Sequence, residues 1–171
     1  MRGCAPAAGR RLAWFVRPHK VSTRIPLLSL LLLSAVAHAG AWSDDSFGND
    51  DALDWATECA HAISIAPVLV AIETSNRSKY IEAPEGSMAV AAAEVVAAAL
   101  GRPNPKLPPE LRGWVKRNPS PQLIALAPSA RVALKRILDP KISELAQLWS
   151  EGEPNQWPQA MAELLARLEG P

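Results

Sequence analysis

Two side chains that carry much of enzyme chemistry are scarce: the 171 residues hold two cysteines and three histidines. That shortage excludes self-contained zinc ribbons, disulfide-stapled scaffolds and most metal cages. Runs of alternating β-branched residues are missing too, so a sheet has no obvious strands to draw on. Glycine and proline, nine and sixteen residues, follow no period. With 49% apolar and 20% charged residues, the composition excludes collagen-like and disordered classes and provides for a packed core. The length suits one ordinary domain.

What is present begins with a leader. Arg2, Arg10, Arg11, Arg17, Lys20 and Arg24 precede residue 25, and no acidic residue stands among them. The apolar run Leu27 to Ala37 follows. It falls short of the ~20 residues a membrane-spanning helix needs, and it suits the hydrophobic region of a secretory signal. Ala37-His38-Ala39 then offers small residues at the two positions that signal peptidase reads, which places the cut between Ala39 and Gly40. No cysteine stands at that junction to take a lipid. The expectation is a signal peptide over residues 1–39, a single domain over residues 40–171, and an exported product, periplasmic or secreted, with no stable membrane anchor after cleavage.

Removal of the leader inverts the charge. Residues 40–171 keep twelve basic and all seventeen acidic residues, a net −5 in place of the whole chain's +1. Nucleic-acid and anionic-membrane partners, which draw on a basic footprint, lose support. The charge is also unevenly spread: ten acids and two bases over residues 40–100, nine bases and two acids over 101–141, five acids and one base over 142–171. Neighbouring helices of opposite charge would satisfy one another, or a basic patch would face an acidic partner. Cys59 remains as a lone thiol, and its setting among Ala56, Ala60 and Ile63 favours burial over pairing between chains.

Helical signals recur along the chain. Asn49 caps a helix whose first turn carries Asp50 and Asp51, where the dipole favours negative charge. Leu53, Ala56, Ala60 and Ile63 form its expected apolar face, opposite Asp54, Glu58 and His61. Ser64 and Pro67 open a second helix through Ile72, fraying from Thr74 to Lys79. Gly86 to Leu100 is apolar nearly all round, the mark of a central buried helix, and Gly101 and Pro103 stop it. Arg102 to Pro109 holds four prolines and is the expected loose connection. Leu107, Leu111, Trp114 and Val115 mark a short amphipathic helix. Gln122 to Leu138 is helical with a break at Pro128, with Val132, Leu134, Ile137 and Leu138 inward and Arg131, Lys135 and Arg136 outward. Ser143 and Asn155 cap two more helices, the last with the stripe Trp157, Met161, Leu164, Leu165 and Leu168. The fold class is all-α, a compact array of about six short helices.

Constellations that could carry chemistry are few. Glu58 and His61 form a Glu-x-x-His pair, half of a di-iron motif, but no second histidine follows residue 39. No nucleophile elbow is present for a Ser-His-Asp triad. Asp44, Asp45, Asp50, Asp51 and Asp54 lack the alternate spacing of a calcium loop, so no metal and no cofactor are expected. Trp42 and Phe47 either fold back over the helices as a plug or stand out as a binding anchor. Glu94, inside the apolar helix, calls for a structural partner, expected to be an arginine of the basic segment.

Gly40-Ala41-Trp42-Ser43, Phe47-Gly48-Asn49-Asp50 and Ala52-Leu53-Asp54-Trp55 resemble the opening signature of the bacterial domain-of-unknown-function 4259 family, in which Gly-x-Trp-Gly precedes Phe-Asp-Asn-Asp and Ala-x-Asp-Trp. Ala93-Glu94-Val95-Val96 through Pro103, Ser143-Glu144-Leu145 through Trp149, and Trp157 with Glu163-Leu164-Leu165-Ala166-Arg167-Leu168 are similar to its later blocks, in order. Ser43 and Gly48 depart from the pattern. Family members typically begin Met-Gly, where this chain has the end of its leader. The resemblance implies no catalytic residues.

These observations favour an exported, non-catalytic protein-interaction module, immunity- or inhibitor-like in its nearest concrete form, with Trp42, Phe47, Asp50, Asp51, Asp54, Trp55 and Glu94 as its motif residues and another protein as partner. The alternative is a hydrolase or metal-dependent enzyme using the acidic cluster and Glu94. N-terminal sequencing of the protein recovered from cells is expected to begin at Gly40; a product that keeps residues 1–39 contradicts the leader.

Overall fold

A computed structural model describes residues 44–118, 121–151 and 155–169, all within the unit Ala37–Pro171. Eight helices lie among these residues: α1 (Asp50–His61), α2 (Ala66–Arg77), α3 (Ala83–Ala99), α4 (Pro109–Arg117), α5 (Pro121–Ala125), α6 (Ala127–Ile137), α7 (Glu144–Glu151) and α8 (Trp157–Leu168). The class is all-α as expected, with more helices than about six. Pro128 accounts for part of the difference. It is the second residue of α6, where a missing N–H costs nothing, whereas a helix running on from α5 would lose a bond and clash there.

α3 is the axis of the array. Alanine and valine dominate its sequence, helix-forming alanines keep its girth small, and residues Ala89 to Ala97 are buried without interruption. Because no side is reserved for solvent, the helix touches each of the other seven. Its N-terminus is held by a short parallel bridge in which Ile81 donates to the Ile142 carbonyl (2.8 Å) and accepts from Glu144 N (2.9 Å), while the Glu144 carboxylate takes the Ala83 amide (2.8 Å). Gly86 lets α7 come close: a Cβ there would stand 3.2 Å from Leu145 Cδ2. At the far end Gly101 adopts φ +81°, and the bonds Arg102 N to Ala97 O (2.9 Å) and Gly101 N to Ala98 O (3.0 Å) close a Schellman turn.

Two faces turn differently from the periodic pattern. α1 buries Ala52, Trp55, Ala56 and Cys59, while Leu53 is 45% and Ile63 99% exposed. Trp55 sets the rotation, since burying the largest apolar side chain gains most, and α1 ends before Ile63 is reached. On α6, Val132 points to solvent, and Ala127, Ala130 and Ala133 pack inward with Leu134 and Ile137.

The basic segment spends its charge on backbone carbonyls more than on carboxylates. Arg136, expected outward, reaches across to α2 and donates to the Ser75 (3.1 Å) and Ser78 carbonyls, satisfying acceptors left over at that helix's C-terminus. α2 accordingly stays helical to Arg77, through the stretch expected to fray. Arg112 donates to the carbonyls of Asn104, Pro105 and Leu107, and Leu107 is buried, so the proline-rich connection is tied down where a loose one was expected. Arg136→Met, which keeps the aliphatic stem, should lower the unfolding free energy by about 1.5–3 kcal/mol in urea titration; an unchanged midpoint would refute the clamp.

Candidate functional site

Glu94 lies near the end of α3 with 1% of its surface exposed. An ionised carboxylate at such a position is tolerated only when donors replace its water. Four do. Arg167 of α8 grips it end-on, with its two terminal nitrogens 2.6 Å from Oε2 and 2.7 Å from Oε1. Ser46 Oγ and Asn104 Nδ2 donate to Oε1 at 2.8 and 2.9 Å. The bidentate fork suits a planar guanidinium and is one that lysine could not supply. The partner therefore comes from the last helix, 73 positions away, and not from the basic segment as expected; that segment contributes the amide of Asn104.

Each donor is placed by local structure. Ser46 sits in a tight turn in which Gly48 N donates to Asp45 O (3.1 Å) and Phe47 N to Asp45 Oδ1 (2.8 Å), the self-capping that aspartate favours. The same turn sends Phe47 into the core, so it seals the helices. Asn104 is fixed by accepting from Lys106 N through Oδ1 (2.9 Å), and Lys106 Nζ reaches back to Asp45 Oδ2 (3.1 Å). Arg167 follows Glu163 by one helical turn on α8, on the same side as Ala160.

Above the pair lies a recess of about 190 Å³ bounded by the 44–46 turn, Asn104, Lys106 and the exposed side of α8. Among the described residues its wall carries four carboxylates, Asp44, Asp45, Glu94 and Glu163, against two cations, Lys106 and Arg167. Asp44 accepts from Gln156 N (3.1 Å) and Glu163 from Gln159 Nε2 (3.0 Å).

The remaining motif residues are scattered. Ala39, Gly40 and Trp42 lie outside the described residues. Trp55 is a core residue, while Asp50, Asp51 and Asp54 face solvent along α1, the first two in its opening turn beside the Asn49 cap (Asn49 Oδ1 to Ala52 N, 2.9 Å). His61 and Glu58 are exposed, and His61 Nδ1 contacts the Thr57 carbonyl of its own helix (2.8 Å). Cys59 is fully buried, and desolvation pushes its thiol up to about 12, which keeps it protonated and unreactive. Among the described residues no three His, Cys, Asp or Glu side chains converge as metal ligands would. Sequence reasoning missed Ser46, Asn104, Lys106, Glu163 and Arg167; the one available signal was that Arg167 is the single base after residue 141.

Asn104→Ala removes one donor to the buried carboxylate and the anchor of its own loop, and should cost about 1.5–3 kcal/mol of stability by urea denaturation. Wild-type stability in that variant would mean that Glu94 does not depend on it.

No curated protein and no solved structure matches the chain. A family model does, over residues 40–160, a span that includes Ser46, Glu94 and Asn104 and ends within α8 ahead of Arg167. The chain belongs to the family described as Domain of unknown function (DUF4259).

Proposed function

We propose that this is an exported, non-catalytic interaction protein whose docking point is the recess over the Glu94–Arg167 pair. One observation carries the reading: four hydrogen bonds from Arg167, Ser46 and Asn104 converge on the buried carboxylate, three on Oε1 and one on Oε2, so it holds three parts of the chain together, and the arginine fork favours its ionised, structurally committed form over a proton-shuttling one. His61 stands in solvent on α1, bonded to its own helix, and supplies no base to the recess. A polar hollow on a rigid floor is suited to recognition, since its side walls are preorganised and little order has to be imposed on binding. The net acidic character of residues 40–171 supports a partner with basic side chains, and an inhibitor- or immunity-like role is the narrower form of this reading. Export rests on the apolar run and the Ala37-His38-Ala39 box. Among the described residues, no helix is long and apolar enough to cross a membrane.

The test is affinity purification of the tagged full-length gene product from the envelope fraction, beside a Glu163→Lys variant that reverses one charge on the recess wall. A stoichiometric protein partner retained by the wild type and lost by the variant is expected. Substrate turnover by the purified protein that disappears in Glu94→Gln would contradict the proposal and favour an enzyme.

A further inference from the structure

The chemistry of the recess narrows what it can hold. A volume of about 190 Å³ lies below the roughly 300–1,000 Å³ of pockets that enclose drug-sized ligands, which leaves room for one side chain or a small molecule of that size. Among the described residues Ala160 is the one apolar residue on its wall, so an aliphatic or aromatic occupant would leave polar groups dry. The sign of the charge is the next constraint. Arg167 is taken up by Glu94 in a two-bond fork, and Lys106, whose side chain is largely exposed, is matched by Asp45 at 3.1 Å, so each cation already has a carboxylate against it. Asp44 and Glu163 are left with neutral amide donors, Gln156 N and Gln159 Nε2, and among the described residues no cation lies within ion-pair distance of either. Two negative charges therefore stand in excess at a hollow whose floor is already neutral. A metal ion is poorly served, because no three ligating side chains converge among the described residues. A compact ammonium on a flexible stem needs less: one or two carboxylates and an amide oxygen, such as the glutamine side chains supply.

We propose that the recess binds a primary alkylammonium group, between Asp44 and Glu163 and above the Glu94–Arg167 floor. The group belongs either to a lysine side chain of a protein partner or to a free small amine; the first source rests on the function proposed above, whereas the second does not. Binding is weak in isolation, because a single partly exposed charge pair gains little, and it weakens further with salt.

The experiment is amide NMR on labelled full-length protein as recovered from cells, titrated with n-butylammonium chloride, with Nα-acetyl-lysine amide, and with Nα-acetyl-norleucine amide as the uncharged control. Saturable shifts at Gln156, Gln159 and Lys106 are expected for a charged probe in about the millimolar range, together with at least a tenfold weaker response in Asp44→Asn/Glu163→Gln. Those two changes lie at partly or fully exposed positions, and an unchanged melting curve confirms that the variant is folded. A response to acetyl-lysine amide that exceeds the response to butylammonium assigns the site to a partner's lysine; the reverse assigns it to a free amine, and stands even if no protein partner is captured. Equal shifts with the norleucine control, full binding by the double variant, or no saturable shift with either amine would each overturn the proposal.

Discussion

The ion pair between Glu94 and Arg167 is the constraint on which the rest of the architecture turns. A carboxylate with 1% of its surface exposed, inside a helix otherwise made of alanine and valine, is costly unless its donors are in place. Those donors come from three separate places: the turn before α1, the proline-rich loop after α3, and the last turn of α8. Satisfying one side chain thus fixes the register of the chain's early turn, middle loop and final helix against the central one. Replacing the pair with well-packed apolar residues could give equal stability, so its value lies in specifying one arrangement among several that would bury similar area.

The same pair also explains the recess. α3 is covered on every side by other helices, and near its C-terminal end the cover is made by polar groups whose hydrogen bonds converge on a single point. Where converging polar groups meet, they cannot close over one another as alanines do, and an open polar hollow is left above them. The Asp45–Lys106 bridge borders it on one side and the Gln159–Glu163 contact of α8 on the other. Under the proposed reading, recognition would be borrowed from the device that holds the fold: the floor is fixed by the fold's own bonds, and the rim would do the recognising.

The sequence was most legible where one local rule sufficed. α3 is apolar all round and stops at Gly101, whose positive φ is the conformation a Schellman turn requires. The caps by Asn49 and Ser143, and the stripe Trp157, Met161, Leu164 and Leu168, also follow from spacing alone, whereas the cap position of α8 falls to Gln156, and Asn155, expected there, accepts from Trp157 N (3.2 Å) one residue earlier. Legibility failed where the answer depended on what lay opposite. Counting large apolar side chains put Val132 and Ile63 inside, but an alanine-rich α3 accepts other alanines, and Trp55 outweighs Leu53 in setting how α1 is rolled. Arg167 was invisible as Glu94's partner because nothing local links residues 73 positions apart. That Glu94 needed a partner was readable from its setting; which arginine supplied it required the fold.

The most direct measurement is a double-mutant cycle in urea on Glu94→Gln, Arg167→Met and the pair together. If the ion pair organises the structure, each single change is strongly destabilising, the double variant recovers part of the loss, and the coupling energy is about 2 kcal/mol or more. Additive effects, with a coupling below about 0.5 kcal/mol, would mean that the two side chains act independently and that the fold is held by its alanine-rich core alone.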